Sequence, residues 1–190
     1  GLSVHAGAHR QRHLIFVAAT DRSLGYVAEA MATCRLVSAT LRPSLAPSLA
    51  NLESALWPNP WGVDSLRSTL AEPHTRLWVA EDDAGQVLSY CLIQQVLDEA
   101  TVLQVGTSVK AQRRGLAHQL LLLALETLRP EGCLNVWLEV RAGNQAAIAL
   151  YRRLGFAVES VRKRYYPPLV AGTPNEDALM MHLSLAAQTT

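Results

Sequence analysis

LEVRAGNQAAIALYRRLGF, residues 138–156, changes from one periodicity to another within a few positions. Its left end completes an alternating run, LNVWLEV (134–140), with Leu134, Val136, Leu138 and Val140 on one face and Asn135, Trp137 and Glu139 on the other. Its right half sets Ala147, Leu150, Tyr151 and Leu154 at i, i+3, i+4 and i+7, an apolar helical stripe. Asn144 stands where an N-cap belongs and Gly155 where a helix stops. A strand feeding a helix through a short turn is the unit of an α/β sheet. Such sheets bind ligands beyond the carboxyl ends of their strands, which is where Glu139 falls.

The neighbouring segments continue the alternation. RLVSATLRP (35–43) reads as a first strand stopped by Pro43, and SLAPSLANLESALW (44–57) as a helix with Leu49, Leu52 and Leu56 among its apolar positions. WPNPWG (57–62) is a proline-rich turn, after which Asp64 is placed to cap a second helix through Leu70. RLWVAEDD (76–83) and QVLSYCLIQQVL (86–97), joined at Ala84-Gly85, predict a hairpin, and ATVLQVGTSV (100–109) extends the sheet. A helix from about Gly115 to Leu128 precedes LNVWLEV, and the chain closes with strands FAVESV (156–161) and DALMMHLSL (177–185). The expected order is βααββββαβαββ, an α/β fold.

Composition narrows the class. The 190 residues are 49% hydrophobic and 17% charged, with 17 Lys and Arg against 16 Asp and Glu, enough apolar material for one domain with a sizeable core. A net charge of +1 announces neither nucleic acid nor an anionic membrane as a direct partner, and Arg162, Lys163 and Arg164 read as a solvated edge. Cys34, Cys91 and Cys133 form no CxxC pair and lie in apolar surroundings, which favours buried thiols in a reducing cytoplasm. Apolar stretches such as Leu120–Leu125 fall short of the roughly 20 residues that cross a bilayer. Leu14–Cys34 is interrupted by Asp21, Arg22 and Glu29 and lacks the order of a secretion signal. Residues 1–34 carry His5, His9 and His13, but four-residue spacing without Cys or acidic neighbours suggests a flexible arm, and no metal is expected.

Between the strand ending near Val109 and the long helix stands QRRGLA (112–117). A glycine at a strand-to-helix turn lets a ligand approach the backbone, where unpaired N–H groups and the positive helix end favour a pyrophosphate. Arg113, Arg114 and His118 add positive charge at the same end. Alone, this could also be an ordinary turn.

The pattern resembles the Q/R-x-x-G-x-G/A signature of the GNAT superfamily of N-acetyltransferases, with Gly115 and Ala117 at the small positions. VLDEAT (96–101), WLEVRAGNQAAIALYRRLGF (137–156), RKRYYPP (162–168) and EDALMM (176–181) are similar to its RimI-type branch, which acetylates the N-terminal alanine of ribosomal protein S18. The resemblance implies the GNAT fold over residues 35–185: a central mixed sheet of six to seven strands, splayed at the cofactor site and flanked by about four helices. Residues 1–34 become an extension and 186–190 a tail. TSVKAQ (107–112) departs from the aspartate and proline more usual there, and Ala117 from the commoner glycine.

Acetyl-CoA is the cosubstrate that the resemblance implies, held through the backbone of Val105, Gly106 and Thr107, the turn Arg113, Arg114, Gly115, Leu116, Ala117 and His118, and Asn144 and Tyr151. By the same resemblance Glu139 is the general base and Tyr151 the general acid. From the residues alone, Tyr151 reads equally as a core tyrosine and Glu139 as a solvated strand end. Acyl transfer to an amine gives both a use, since the ammonium must lose a proton and the departing thiolate benefits from gaining one. Cys133, without a recognisable histidine partner, reads as a buried thiol. The expected acceptor is a protein N-terminus, between WPNPW with Trp61 and the loop RKRYYPPLVAGTPNED with Tyr165 and Tyr166, near Glu139. Asp98 and Glu99 could attract an ammonium or could simply form a turn. Transfer to lysine side chains or small amines, and a non-catalytic acetyl-CoA sensor, are the alternatives.

Overall fold

The computed structural model describes residues 32–186. The histidines and helical pattern of the first 31 residues lie outside them. The sheet strands are β1 (Thr33–Val37), β2 (Thr75–Glu81), β3 (Val87–Val96), β4 (Glu99–Thr107), β5 (Asn135–Arg141), β6 (Ala157–Tyr166) and β7 (Glu176–Ser184). They lie side by side as β1-β2-β3-β4-β5-β7-β6, and only β4 and β5 are parallel. Helices α1 (Ala46–Leu56) and α2 (Val63–Ala71) cover one face, α3 (Leu116–Leu128) and α4 (Gln145–Arg153) the other.

Alternation along the central strands decides this layering. In β2, Leu77 and Val79 face α1 and α2 with Leu49, Leu66 and Leu70. Trp78 and Ala80 point the opposite way, to Leu120, Leu121 and Leu128 of α3.

Four details differ from the sequence expectation. Three strands separate α2 from α3, not four, and the segments read at 76–83, 86–97 and 100–109 account for all of them. Pro43 does not stop a strand: β1 ends at Val37, and Pro43 lies in the first turn of a 3-10 segment, Arg42–Leu45, where its fixed φ suits a helical start. Gly62, not Asp64, is the N-cap of α2; Asp64 sits one residue inside the helix and pairs with Arg67 at 2.9 Å. Leu134 precedes β5 and is 43% exposed, because the buried alternation starts at Val136.

The site is positioned by a break in pairing. β4 and β5 run together only from Glu99–Asn135 to Val102–Leu138, after which they part. The parting coincides with a bulge in β4: Ile93 faces Val102 and Leu92 faces Gln104, so Leu103 is the extra residue. A bulge bends its strand and raises the local twist, here at the point where the sheet must open.

Candidate active site

The splayed strands floor a cleft of about 710 Å³, walled by the α1–α2 loop, the start of α4 and the β6–β7 loop. Beyond Val102 the edge of β4 turned toward β5 has no β5 partner. Val105 lines the cleft, and Gly106 and Thr107 continue the edge. Gly106 is a glycine for want of space: a Cβ there would lie 2.7 Å from Tyr90 Cε1 and 3.3 Å from Trp57.

Period-two alternation turns Glu139 away from the core formed by Val136, Leu138 and Val140 and into the cleft. Its Oε1 accepts the Tyr166 hydroxyl at 2.7 Å and its Oε2 accepts Arg162 Nη1 at 2.9 Å. Tyr151 lines the same cleft from α4, 8% exposed, with its ring edge-on to Phe156 at 5.9 Å. Burial pushes its phenol pKa well above the ordinary value, with a smaller contribution from Cys91, so the group carries its proton throughout the neutral range. Tyr166 is shifted in the same direction, first by burial and then by its bond to Glu139.

Asn144 lines the cleft and caps α4 as expected, its Oδ1 accepting Ala147 N–H at 3.1 Å. At the other helix, Arg113 (φ +63°) and Gly115 (φ +78°) both take left-handed conformations, folding the turn back on itself. No side chain caps α3, and its first backbone bond runs from Gln119 N–H to the Gly115 carbonyl at 3.0 Å. The N–H groups of Leu116, Ala117 and His118 therefore precede the helical ladder. A Cβ at Gly115 would meet nothing within 4 Å, so the glycine answers its positive φ rather than a crowded neighbour. Leu116 itself points into the core, leaving only its backbone for a ligand, whereas Arg113 and Arg114 are exposed.

The remaining candidates divide. Trp61 and Tyr166 line the cleft, but Tyr165 does not: it is 49% exposed, edge-on to Tyr166 at 5.1 Å and beneath Arg162 at 5.3 Å. Asp98 lies in the β3–β4 turn and Glu99 opens β4, both beside the start of β5 and away from the cleft; the Asp98 carbonyl accepts Leu134 N–H at 2.7 Å and Asn135 N–H at 3.1 Å. Cys133 is buried beside that same end, its thiol on the Asn135 carbonyl at 3.4 Å and its pKa raised by burial, which leaves it a poor nucleophile.

Sequence reasoning missed Arg141, Arg162, Glu176 and Glu53. The first three follow from cross-strand pairing, which a single sequence does not reveal. Glu53 did leave a signal: with Leu49, Leu52 and Leu56 it completes an i, i+3, i+4, i+7 stripe, an acid on an apolar face.

Comparison with known proteins gives this geometry its class. The Acetyltransferase (GNAT) family profile matches residues 46–156, more than half of the chain, and the chain belongs to that family. Over 140 residues it is 35% identical to the [ribosomal protein bS18]-alanine N-acetyltransferase of Salmonella typhimurium, covering 74% of this chain and 91% of the relative. Identity to the Escherichia coli K12 counterpart is 34% over the same shares. The crystal structure of the Escherichia coli ribosomal-protein-S18-alanine N-acetyltransferase matches with a TM-score of 0.73 at 31% identity, covering 84% of this chain and 99% of that one. The chain is thus an N-acetyltransferase with the seven-stranded mixed sheet of its family, whose acetyl donor is acetyl-CoA. Among the described residues, no helix is long and apolar enough to cross a membrane.

Proposed function

We propose that this chain acetylates the N-terminal α-amine of a protein in the cytoplasm, the acceptor being ribosomal protein bS18 with an alanine at its start. The observation that carries the reading is the presence of Glu139 and Tyr151 on the walls of one cleft, above the stretch of β4 that β5 leaves unpaired. The names of the two bacterial relatives support the acceptor.

Acetyl-CoA supplies the thioester and its leaving thiolate. The turn at Gly115 and the uncapped end of α3 suit its diphosphate, and the free edge at Val105–Thr107 suits the pantetheine arm and an oxyanion. Glu139 receives the proton of the acceptor ammonium, directly or through a water. At a reference pKa of about 7.7–8.0, much of an α-amine is protonated at neutral pH, so a base within the cleft has work to do. Tyr151, kept protonated by burial, donates to the departing sulfur. Trp61 and Tyr166 border the acceptor end.

The test is release of free CoA from acetyl-CoA in the presence of an alanine-starting peptide, a methionine-starting peptide, and a peptide with a blocked amine and an internal lysine. Turnover on the alanine peptide is the expected result. Acetylation of the blocked peptide alone would transfer the assignment to lysine side chains, and tight acetyl-CoA binding without turnover on any amine would support a sensor.

A further inference from the structure

Tyr166 reaches Glu139 from a strand that offers it little support. β6 is one of the two outer strands of the sheet, exposed along nearly its whole length. Its pairing with β7 is also broken just before Tyr166: Arg162 faces Ala178 and Tyr166 faces Glu176, so Lys163, Arg164 and Tyr165 together oppose Asp177 alone. Side chains of β7 and the preceding loop clasp the extra residues. Asp177 Oδ2 holds Lys163 Nζ at 2.9 Å, its Oδ1 accepts Arg164 N–H at 2.8 Å, and Asn175 Nδ2 donates to the Arg164 carbonyl at 3.2 Å. Arg164 lies at φ +51°, a conformation that needs such support.

Past the bulge the ring of Tyr166 meets a second restraint. The Arg141 guanidinium lies 4.3 Å from the ring centroid. Arg141 Nη1 donates to Glu176 Oε2 and to the Pro167 carbonyl, each at 3.0 Å, so the guanidinium is fixed by a carboxylate, a carbonyl and a ring. Glu176 is fixed in turn, its Oε1 accepting Gly143 N–H at 2.6 Å. Gly143 directly precedes Asn144, the N-cap of the helix that carries Tyr151.

We infer that Glu176 and Arg141 are positioning residues that aim the Tyr166 hydroxyl at Glu139, with Asp177 setting the bulge from which Tyr166 returns to the sheet. Arg141 and Glu176 both line the cleft, although neither is required to touch the reacting atoms. A salt bridge at an open surface contributes little, but this one is three-quarters shielded on both partners and shares its cation with the ring it orients.

This inference rests on the acceptor reading of the cleft, and the arms of the experiment separate the two. Steady-state kinetics with the alanine-starting peptide are measured for wild type, Tyr166→Phe, Glu176→Gln and the double variant. Glu176→Gln is expected to lower kcat/KM for the peptide about tenfold, the size of one charge-assisted hydrogen bond, with the KM for acetyl-CoA unchanged. Because Glu176 acts through Tyr166, the double variant is expected to be no worse than the more damaged single variant. Additive losses, a wild-type-like Glu176→Gln, or an acetyl-CoA KM that rises as far as the peptide's would each overturn the inference while leaving the acceptor reading standing. A silent Tyr166→Phe would likewise overturn the inference alone, whereas absence of wild-type turnover on the alanine-starting peptide would defeat the acceptor reading itself. Should Glu176→Gln melt early, Asp177→Asn reaches Tyr166 by the other route and is held to the same non-additivity; additivity there overturns the proposal equally.

Discussion

Tyr90→Phe deletes one oxygen atom from the interior and leaves the ring in place. That oxygen donates to Glu53, a fully buried carboxylate on α1 whose other oxygen accepts the backbone N–H of Trp61 at 2.7 Å. Both of these donors are neutral, and among the described residues no cation pairs with Glu53. Burial, and then the bond to Glu53 and its charge, push the Tyr90 phenol far above its ordinary pKa, which makes it a firm donor. Losing a hydrogen bond to a charged group costs about 1.5–3 kcal/mol when the acceptor stays buried. At about 2–4 °C per kcal/mol for a domain of this size, the melting temperature should fall by about 3–12 °C. Circular dichroism melts, checked by urea titration at constant m, measure the loss. Combined with Glu53→Leu, Tyr90→Phe should cost less than the sum of the two single losses, since both substitutions break the same Tyr90–Glu53 bond, although the second also frees the Trp61 N–H. A fall under about 1 °C, or a double variant at the sum of the single losses, would refute the reasoning. The consequence reaches the cleft, because Glu53 holds the loop bearing Trp61 while the Tyr90 ring abuts Gly106 of β4.

Glu139→Gln should cut turnover at neutral pH by about 10²–10⁴, with recovery as pH rises past the acceptor's own pKa near 8; an equal rate to wild type at every pH would remove Glu139 from the mechanism. Tyr151→Phe should lower kcat and leave the acetyl-CoA KM in place, as free-CoA release would report, and an intact kcat would exclude the phenol as proton donor. Gly115→Ala forces a side chain into φ +78°, and isothermal titration should find weaker CoA binding; undiminished affinity would detach the turn from the diphosphate. Tyr90 and Tyr151 both have phenol pKa values raised above the reference of 10 by burial. Above pH 10 the unfolded chain loses protons that the folded one keeps, so their stabilisation is complete below pH 10 and declines as pH rises beyond it. Urea titrations should show a fall approaching about 1.4 kcal/mol per pH unit for each phenol, and a flat profile would contradict their burial.

Periodicity made much of the fold legible. β5 and α4 lie where the alternating run and the i, i+3, i+4, i+7 stripe put them, and Asn144 caps as its side chain suggests. Errors arose where one residue type serves two ends. Pro43 suits a helical first turn as well as a strand stop, and Asp64 suits the first turn of α2, where the helix dipole favours an acid, as well as its cap. Leu134 fits the alternation of β5, yet lies one residue before the first β4 pairing, at Asn135, where the sheet ends and its side chain stays half-exposed.

The site itself was legible only in part, for a reason of topology. Local pattern places Glu139 on the cleft face of its strand, but the cleft exists because β4 and β5 separate, and the bulge that accompanies the separation at Leu103 marks the sequence only by setting two apolar residues, Val102 and Leu103, side by side between Thr101 and Gln104. Tyr165 and Tyr166 are adjacent and chemically alike, and nothing local decides which of them faces inward. The decision falls to Asp177, which faces three residues of β6 and absorbs the slack through the Lys163 amine and the Arg164 amide. A bulge of any other length would shift Tyr166 along the strand, since side chains alternate with each residue, and would present Tyr165 to Glu139 or neither ring. The acidic pair Glu176–Asp177 is therefore as much a part of the cleft's specification as the glutamate it serves, although neither residue follows from the pattern of its own strand.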